Sequence, residues 1–222
     1  MMMLLSPGAA AGGGGGGATF TNDFESYGVA AGTPSGWTER HNQSDYSTVS
    51  AGSGTALQVV NPFAQRSTLS MNAVDGEATR DYFDILVKYR CNTITAGVTG
   101  GGVIARGAGA AGAESGYACV TFGDALRIVY YATGTANTIA TSASKGLTAN
   151  TWYWIRFRID NNGAGPMRAR IWADGGGEPG TWDVTGTAGA DIAAGWAGPF
   201  SFSQATHQWD YFSIGCNGTA AP

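Results

Sequence analysis

Two carboxylates held at a fixed separation are the minimum requirement for hydrolysing a glycosidic bond, so the acidic residues of this chain come first. Asp81 and Asp84 are three positions apart, which on an extended strand turns them to opposite faces. Asp23 and Glu25 share a face by the same period but have no third partner. His41 and His207 each sit beside polar neighbours, and neither belongs to a His-x-x-x-His or Cys/His cluster that would hold zinc. No Gly-x-Ser-x-Gly turn presents a nucleophilic serine. The glycine run Gly12–Gly17 lacks the Lys-Ser/Thr ending of a phosphate loop and precedes a strand, not a helix. A non-enzymatic chain with no cofactor and no metal is the expectation.

Binding chemistry is better represented. In Trp152–Asp160, the residues Tyr153, Ile155, Phe157 and Ile159 alternate with Trp152, Trp154, Arg156 and Arg158. Met167, Ala169 and Ile171 alternate with Arg168, Arg170 and Trp172; Phe83, Ile85, Val87, Tyr89 and Cys91 alternate with Asp84, Leu86, Lys88 and Arg90. Period-two alternation assigns the apolar sets to a core. It leaves Lys88, Arg90, Arg156, Arg158, Arg168 and Arg170, half of the 12 basic residues, on outer faces with Trp154 and Trp172. If the three strands share a sheet, Arg and Trp are presented together. Such a face could stack sugars on indole and fork arginines onto the carboxylates of an acidic glycan. It could equally be a subunit contact, where Arg and Trp are enriched. The third reading is an ordinary outer face on which long side chains cover apolar surface. All three stand open at this point.

The elements that must position these residues are strands. Val, Ile, Thr and aromatic residues fill Thr19–Phe24, Gly36–Arg40, Tyr46–Val49, Ala56–Val60, Ser67–Met71, Tyr82–Cys91 and Gly102–Arg106. They also fill Tyr117–Phe122, Leu126–Tyr131, Thr138–Ala143, Trp152–Asp160, Met167–Ala173 and Trp209–Gly215, with Gly, Asn, Asp and Pro between. One helical turn is expected around Asp75–Thr79. So many short strands in 222 residues predict an all-β, two-sheet antiparallel sandwich over residues 19–217, followed by a tail at 218–222. The composition agrees: 36 glycines and only 13% charged residues suit strands and tight turns better than solvated helices. A net charge of −4 argues against general nucleic-acid binding. No apolar run approaches the ~18 residues that span a bilayer. Met1–Leu5 is short for a secretory apolar region and has no preceding Lys or Arg, so the chain is expected to begin in a cytoplasm.

Residues 1–18 form an uncharged arm in which Leu4, Leu5 and Pro7 lead into Gly12–Gly17. A glycine run cannot hold one conformation unaided, so the expectation is a flexible tether, with Leu4, Leu5, Pro7, Gly12 and Gly17 ordered by an assembly partner. Three cysteines leave one thiol without an internal partner. Either Cys91, Cys119 and Cys216 are all reduced, or Cys216, near the C-terminal end, forms an inter-subunit disulfide. Cys119, in YACVTF, is expected to be buried.

Three stretches resemble the concanavalin A-like lectin/glucanase (laminin-G-like) jelly roll. They are FTNDFESYGVAAGTPSGWTE at 20–39 with its return at TALQVV, the hairpin LTANTWYWIRFRIDNNGAGPMRARIWADGGGEP at 147–179, and HQWDYFSIG at 207–215, which is similar to the closing strand that pairs near the first. The resemblance implies a jelly-roll sandwich. It also implies that Asp23 and Asp210, in the first and last strands, adjoin and could share a calcium ion. Two carboxylates fall short of calcium's six to eight oxygens, so solvated or turn-capping roles are expected instead. The Glu-x-Asp-x-Glu strand of the family's glucanase branch is missing here. Leu-Ser-Pro, a glycine run and such a domain are also similar to virion accessory proteins of tailed phages: capsid decoration, collar or tail-associated subunits. That likeness implies a structural subunit, assembled in a host cytoplasm and located on the virion, whose partners are other virion proteins and copies of itself. The alternative is a lectin-like module for host-surface glycans.

Overall fold

A computed structural model describes residues 18–41, 45–52, 54–61, 66–74, 82–95, 100–110, 112–160, 165–187, 195–202, 204–216 and 218–222. Strands Thr19–Asn22 (β1), Ala30–Ala31 (β2), Trp37–His41 (β3), Asp45–Ala51 (β4), Gly54–Val60 (β5) and Arg66–Met71 (β6) open the chain, with a 3-10 turn at Glu25–Tyr27. Phe83–Cys91 (β7), Gly100–Ala108 (β8), Ser115–Phe122 (β9), Ala125–Ala132 (β10) and Thr135–Ser144 (β11) follow. Tyr153–Ile159 (β12), Pro166–Ala173 (β13), Val184–Thr187 (β14), Trp196–Phe202 (β15) and Thr206–Cys216 (β16) complete it.

These strands make two antiparallel sheets packed as a sandwich, the expected all-β class. One sheet runs β14-β13-β12-β7-β16-β5-β4-β2, with β1 also paired to β16; the other runs β11-β10-β9-β8-β15-β6-β3. The closing strand does pair with the first, Thr19 to Gly215 through Asn22 to Phe212. The expected hairpin at 147–179 forms as β12 and β13.

Cross-strand rows carry the alternation into packing. Ile171, Ile155, Val87 and Phe212 lie opposite one another on four adjacent strands, as do Ala169, Phe157, Ile85 and Ile214, then Met167, Ile159, Phe83 and Cys216. All of them are buried, facing Leu69, Met71, Val103, Tyr117, Leu126 and Ile128 from the other sheet. Each large apolar side chain buried this way stabilises the fold by about 1.5–3 kcal/mol.

Two features depart from the sequence reading. The first strand stops at Asn22, because the side chains of Asn22 and Asp23 accept hydrogen bonds from the backbone N–H groups of Phe24 (2.8 Å) and Glu25 (3.2 Å) and turn the chain out of the sheet. The expected helical turn at Asp75–Thr79 lies outside the described residues. Strands β2, β14 and β15 are additional to the expected ones; β15 contains Gly198 and Pro199, residues that ordinarily interrupt a strand. Yet β15 sits between β8 and β6, with a register irregularity between Trp196 and Gly198 that accommodates them. A Cβ on Gly198 would lie 2.0 Å from the Leu69 carbonyl oxygen, so only glycine permits this approach. A second apolar cluster, Ile104, Ala118, Val120, Val129, Tyr131, Trp196 and Phe200, lies apart from the main core, so β8 and β9 bury both faces.

Candidate functional site

Strands β13, β12, β7 and β16 are neighbours, so the Arg- and Trp-bearing faces do come together on one sheet. Registers align them in rows. The first row is Trp172, Trp154, Lys88 and Tyr211; the second is Arg170, Arg156, Leu86 and Ser213; the third is Arg168, Arg158, Asp84 and Gly215. Arg90 lies one step beyond the first row, opposite Gln208, and bonds to its side chain.

The second row is closed over, and the third is partly covered. The segment after β13 brings Glu178 onto Arg170 and Arg156 (3.3 Å to Arg156 Nε), Pro179 O onto Arg170, and the Trp182 ring onto Arg170 and Arg158 (4.2 and 5.6 Å). The tail crosses the sheet as well. Arg156 Nη2 donates to Ala221 O at 2.8 Å, and the Tyr211 hydroxyl donates to Pro222 O at 3.3 Å. Beneath them Asp84 is fully buried, with its carboxylate 2.6 Å from Arg158 Nη2 and 3.5 Å from Arg156 Nε. Arg168 pairs with Asp160.

The first row stays half-exposed. The Trp154 and Trp172 rings are nearly parallel (16°) with centroids 6.4 Å apart, and Tyr211 stands edge-on to Trp154 at 5.4 Å. Lys88 Nζ lies 3.0 Å from both Asp174 and Asp210, and 5.6 and 6.0 Å from the Trp152 and Trp154 ring centres. Trp154 Nε1 donates to the other Asp174 oxygen at 2.9 Å, which fixes the indole. Arg90 covers Trp152 at 4.4 Å. Burial opposes the charge of Lys88, but its bonds to Asp210 and Asp174 outweigh this and hold its pKa above the usual lysine value. For Asp174 burial is likewise outweighed, by Lys88 and the Trp154 N–H, and its carboxyl lies below the usual range.

The expectation of a basic face is therefore corrected. Asp84, Asp160, Asp174, Glu178 and Asp210 lie among the six cations. Of these only Asp84 and Asp160 share a strand face with the basic residues in the sequence. Asp174, Glu178 and Trp182 come from a connecting segment with no periodicity. Asp210 and Tyr211 reach the face through a bulge: between Trp209 and Tyr211 the register of β16 on β7 slips by one residue. Trp209 can then point inward, fully buried with Nε1 on Gly102 O at 2.9 Å, while Asp210 and Tyr211 turn outward.

The remaining candidate residues lie elsewhere. Leu4, Leu5, Pro7, Gly12 and Gly17 are outside the described residues. Cys91, Cys119 and Cys216 are all buried; Cys216 is 0% exposed within the core, which corrects its reading as an inter-subunit disulfide site. Asp23 caps its own turn and Asp210 holds Lys88. Among the described residues no three His, Cys, Asp or Glu gather as metal ligands. His207 is fully buried with Nδ1 2.8 Å from the Tyr89 hydroxyl, and His41 pairs with Glu114, whose other oxygen is 3.3 Å from Arg66.

No protein-family model matches the chain, and no curated protein matches it. Solved structures share its architecture. A carbohydrate-binding module, CBM66, from Bacillus subtilis aligns with a TM-score of 0.51 at 13% identity over 84% of this chain and 93% of that one. The cellulose induced protein Cip1 aligns at 0.54 and 13% identity over 88% and 96%. A GH43 protein from Bacillus licheniformis aligns at 0.57 and 11% identity over 87% of this chain but 38% of that longer one. Identities this low show the fold alone, a two-sheet antiparallel β-sandwich of the jelly-roll kind.

Proposed function

We propose that this chain is a carbohydrate-binding module, without catalytic turnover, whose ligand lies along Trp172, Trp154, Lys88 and Tyr211. The observation that carries this reading is the pair of near-parallel, half-exposed indoles beside the fixed Asp174–Lys88–Asp210 bridge. A pyranose presents an apolar C–H face and an equatorial rim of hydroxyls. The indoles match the first, and carboxylate acceptors beside an ammonium donor match the second. The sandwich shared with a carbohydrate-binding module and a cellulose induced protein supports the same reading. Because the cations here already have carboxylate partners, the ligand is a neutral glycan and not the acidic one that an unpaired arginine face could take.

Affinity electrophoresis against cellulose, xylan, mannan and a polyuronate tests this. Retardation by at least one neutral polysaccharide is expected, with Trp154→Ala and Trp172→Ala each weakening binding by about tenfold, the equivalent of about 1.4 kcal/mol. No retardation by any neutral polysaccharide would overturn the reading, and so would binding confined to the polyuronate. The same polysaccharides should release no reducing ends. The other expectation, an accessory subunit of a phage particle, rests on the arm at 1–18. Residues 1–17 lie outside the described residues, and no observation favours that reading over glycan binding.

A further inference from the structure

The row of Trp172, Trp154, Lys88 and Tyr211 ends at Tyr211. Strand β1 pairs with β16 from Phe212 to Gly215 and β5 pairs with it from Thr206 to Trp209, so neither strand carries that row past the bulge. The neighbouring row does run on. Arg90 on β7 lies opposite Gln208 on β16, Gln208 opposite Gln58 on β5, and Gln58 opposite Ser47 on β4. All four are half-buried. They share the sheet face of Lys88 and Trp154, because Arg90 is two residues from Lys88 and residues opposite one another on paired strands point the same way.

The hydrogen bonds along this row have a direction. A guanidinium donates and never accepts. Arg90 Nε therefore fixes the Gln208 amide with its oxygen toward β7. That leaves Gln208 Nε2 to donate to Gln58 Oε1 at 2.8 Å. The Gln58 amide is oriented in turn: its oxygen is taken, and among the described residues no acceptor meets its Nε2. An isolated surface glutamine turns freely and presents either end to a ligand. This one is held by a relay that starts at a cation, and each bond in such a chain polarises the next. Its outer end is a fixed N–H donor.

We propose that the glycan site continues from the indole pair across β7 and β16 to Gln58, whose Nε2 donates to a hydroxyl or ring oxygen further along the same sugar chain. This rests on the glycan reading above and adds the size of the ligand. Trp172 on β13 and Gln58 on β5 are four strand spacings apart. At about 4.8 Å each that is about 19 Å, several times the width of one pyranose ring. The ligand is therefore an extended neutral glycan, and a disaccharide fills only the aromatic end. Between the two ends Arg90 lies against the Trp152 ring at 4.4 Å and on Gln208, so amides line the path across β16 and β5. Gln58 touches the ligand; Arg90 and Gln208 are positioning residues.

Isothermal titration of the full chain with cello-, xylo- and manno-oligosaccharides, each from disaccharide to hexasaccharide, tests it. At least one series should bind, with affinity rising about tenfold or more from disaccharide to hexasaccharide. Gln58→Ala should weaken the hexasaccharide about fivefold, the loss of one hydrogen bond, and leave the disaccharide unchanged. Trp154→Ala should weaken both lengths. An unchanged thermal melt and retained disaccharide binding show that the Gln58→Ala chain is folded. Affinity that is flat with length overturns the extended site and leaves the glycan reading standing. So does a Gln58→Ala variant that changes neither length, or weakens both alike. If no oligosaccharide of any length binds, the extended site and the glycan reading fall together.

Discussion

Removing the Asp84 carboxylate should cost this fold about 3 kcal/mol. Asp84 is fully buried and lies 2.6 Å from Arg158 Nη2 and 3.5 Å from Arg156 Nε. Its two partners differ in what they retain without it. Arg156 keeps Glu178 at 3.3 Å and the Ala221 carbonyl at 2.8 Å. Arg158 has no second carboxylate in pairing range among the described residues, and its side chain is only 25% exposed. Breaking one side of a buried ion pair costs about 3–5 kcal/mol, because the surviving charge stays desolvated. Partial access of Arg158 to water and the alternative partners of Arg156 place Asp84→Ala at the lower end. In a chain of this size that corresponds to a fall in Tm of about 6–12 °C. Asp84→Asn retains an acceptor and should lose about half as much. Asp84→Leu with Arg158→Met removes both charges and should come within about 1 kcal/mol of the unmodified chain. Urea unfolding near neutral pH measures all three. A loss under about 1 kcal/mol for Asp84→Ala would refute the reasoning, as would a double variant no better than the single, since coupled partners must be non-additive.

Two further outcomes follow from buried titratable groups. Burial alone would raise the Glu114 carboxyl, but its bonds to His41 and to backbone N–H groups, with the Arg66 charge, outweigh this and hold it below the usual value of 4.5. The unfolded chain therefore takes up that proton first as pH falls. The stability Glu114 contributes is complete above pH 4.5 and is lost on acidification through its lower folded value, so Glu114→Gln should flatten the acid limb of a stability–pH curve. An unchanged slope would count against the His41–Glu114–Arg66 pairing. For the cysteines, burial pushes the Cys91 and Cys119 thiols up, and Cys216 is inaccessible in the core. Ellman's reagent should find no reactive thiol in the native chain and all three after unfolding; a Cys216-linked dimer on a non-reducing gel would contradict this fold.

Alternation along single strands was legible before any coordinates. Phe83 through Cys91, Ile155 through Ile159 and Met167 through Ile171 bury the residues that period-two spacing assigns inward, and they hold Arg, Lys and Trp on the other face. That much is local, because successive side chains on a pleated strand point to opposite sides whatever the strand later meets. Such alternation has nothing to sort at β8 and β9, where both faces are covered, and does not announce β15, where Gly198 and Pro199 fit a register irregularity beside β8 and β6. The candidate site shows the division most clearly. Trp154, Trp172 and Lys88 could be placed on one side of their strands from sequence, but nothing local states that Asp174, Glu178 and the tail fold back over them, or that a slip at Asp210 turns a carboxylate toward Lys88. Those contacts join positions far apart in the chain through turns and a bulge that have no period. Only the closed sandwich determined that a face rich in arginine would be electrically balanced, with Trp154 and Trp172 stacked beside the Lys88 bridge.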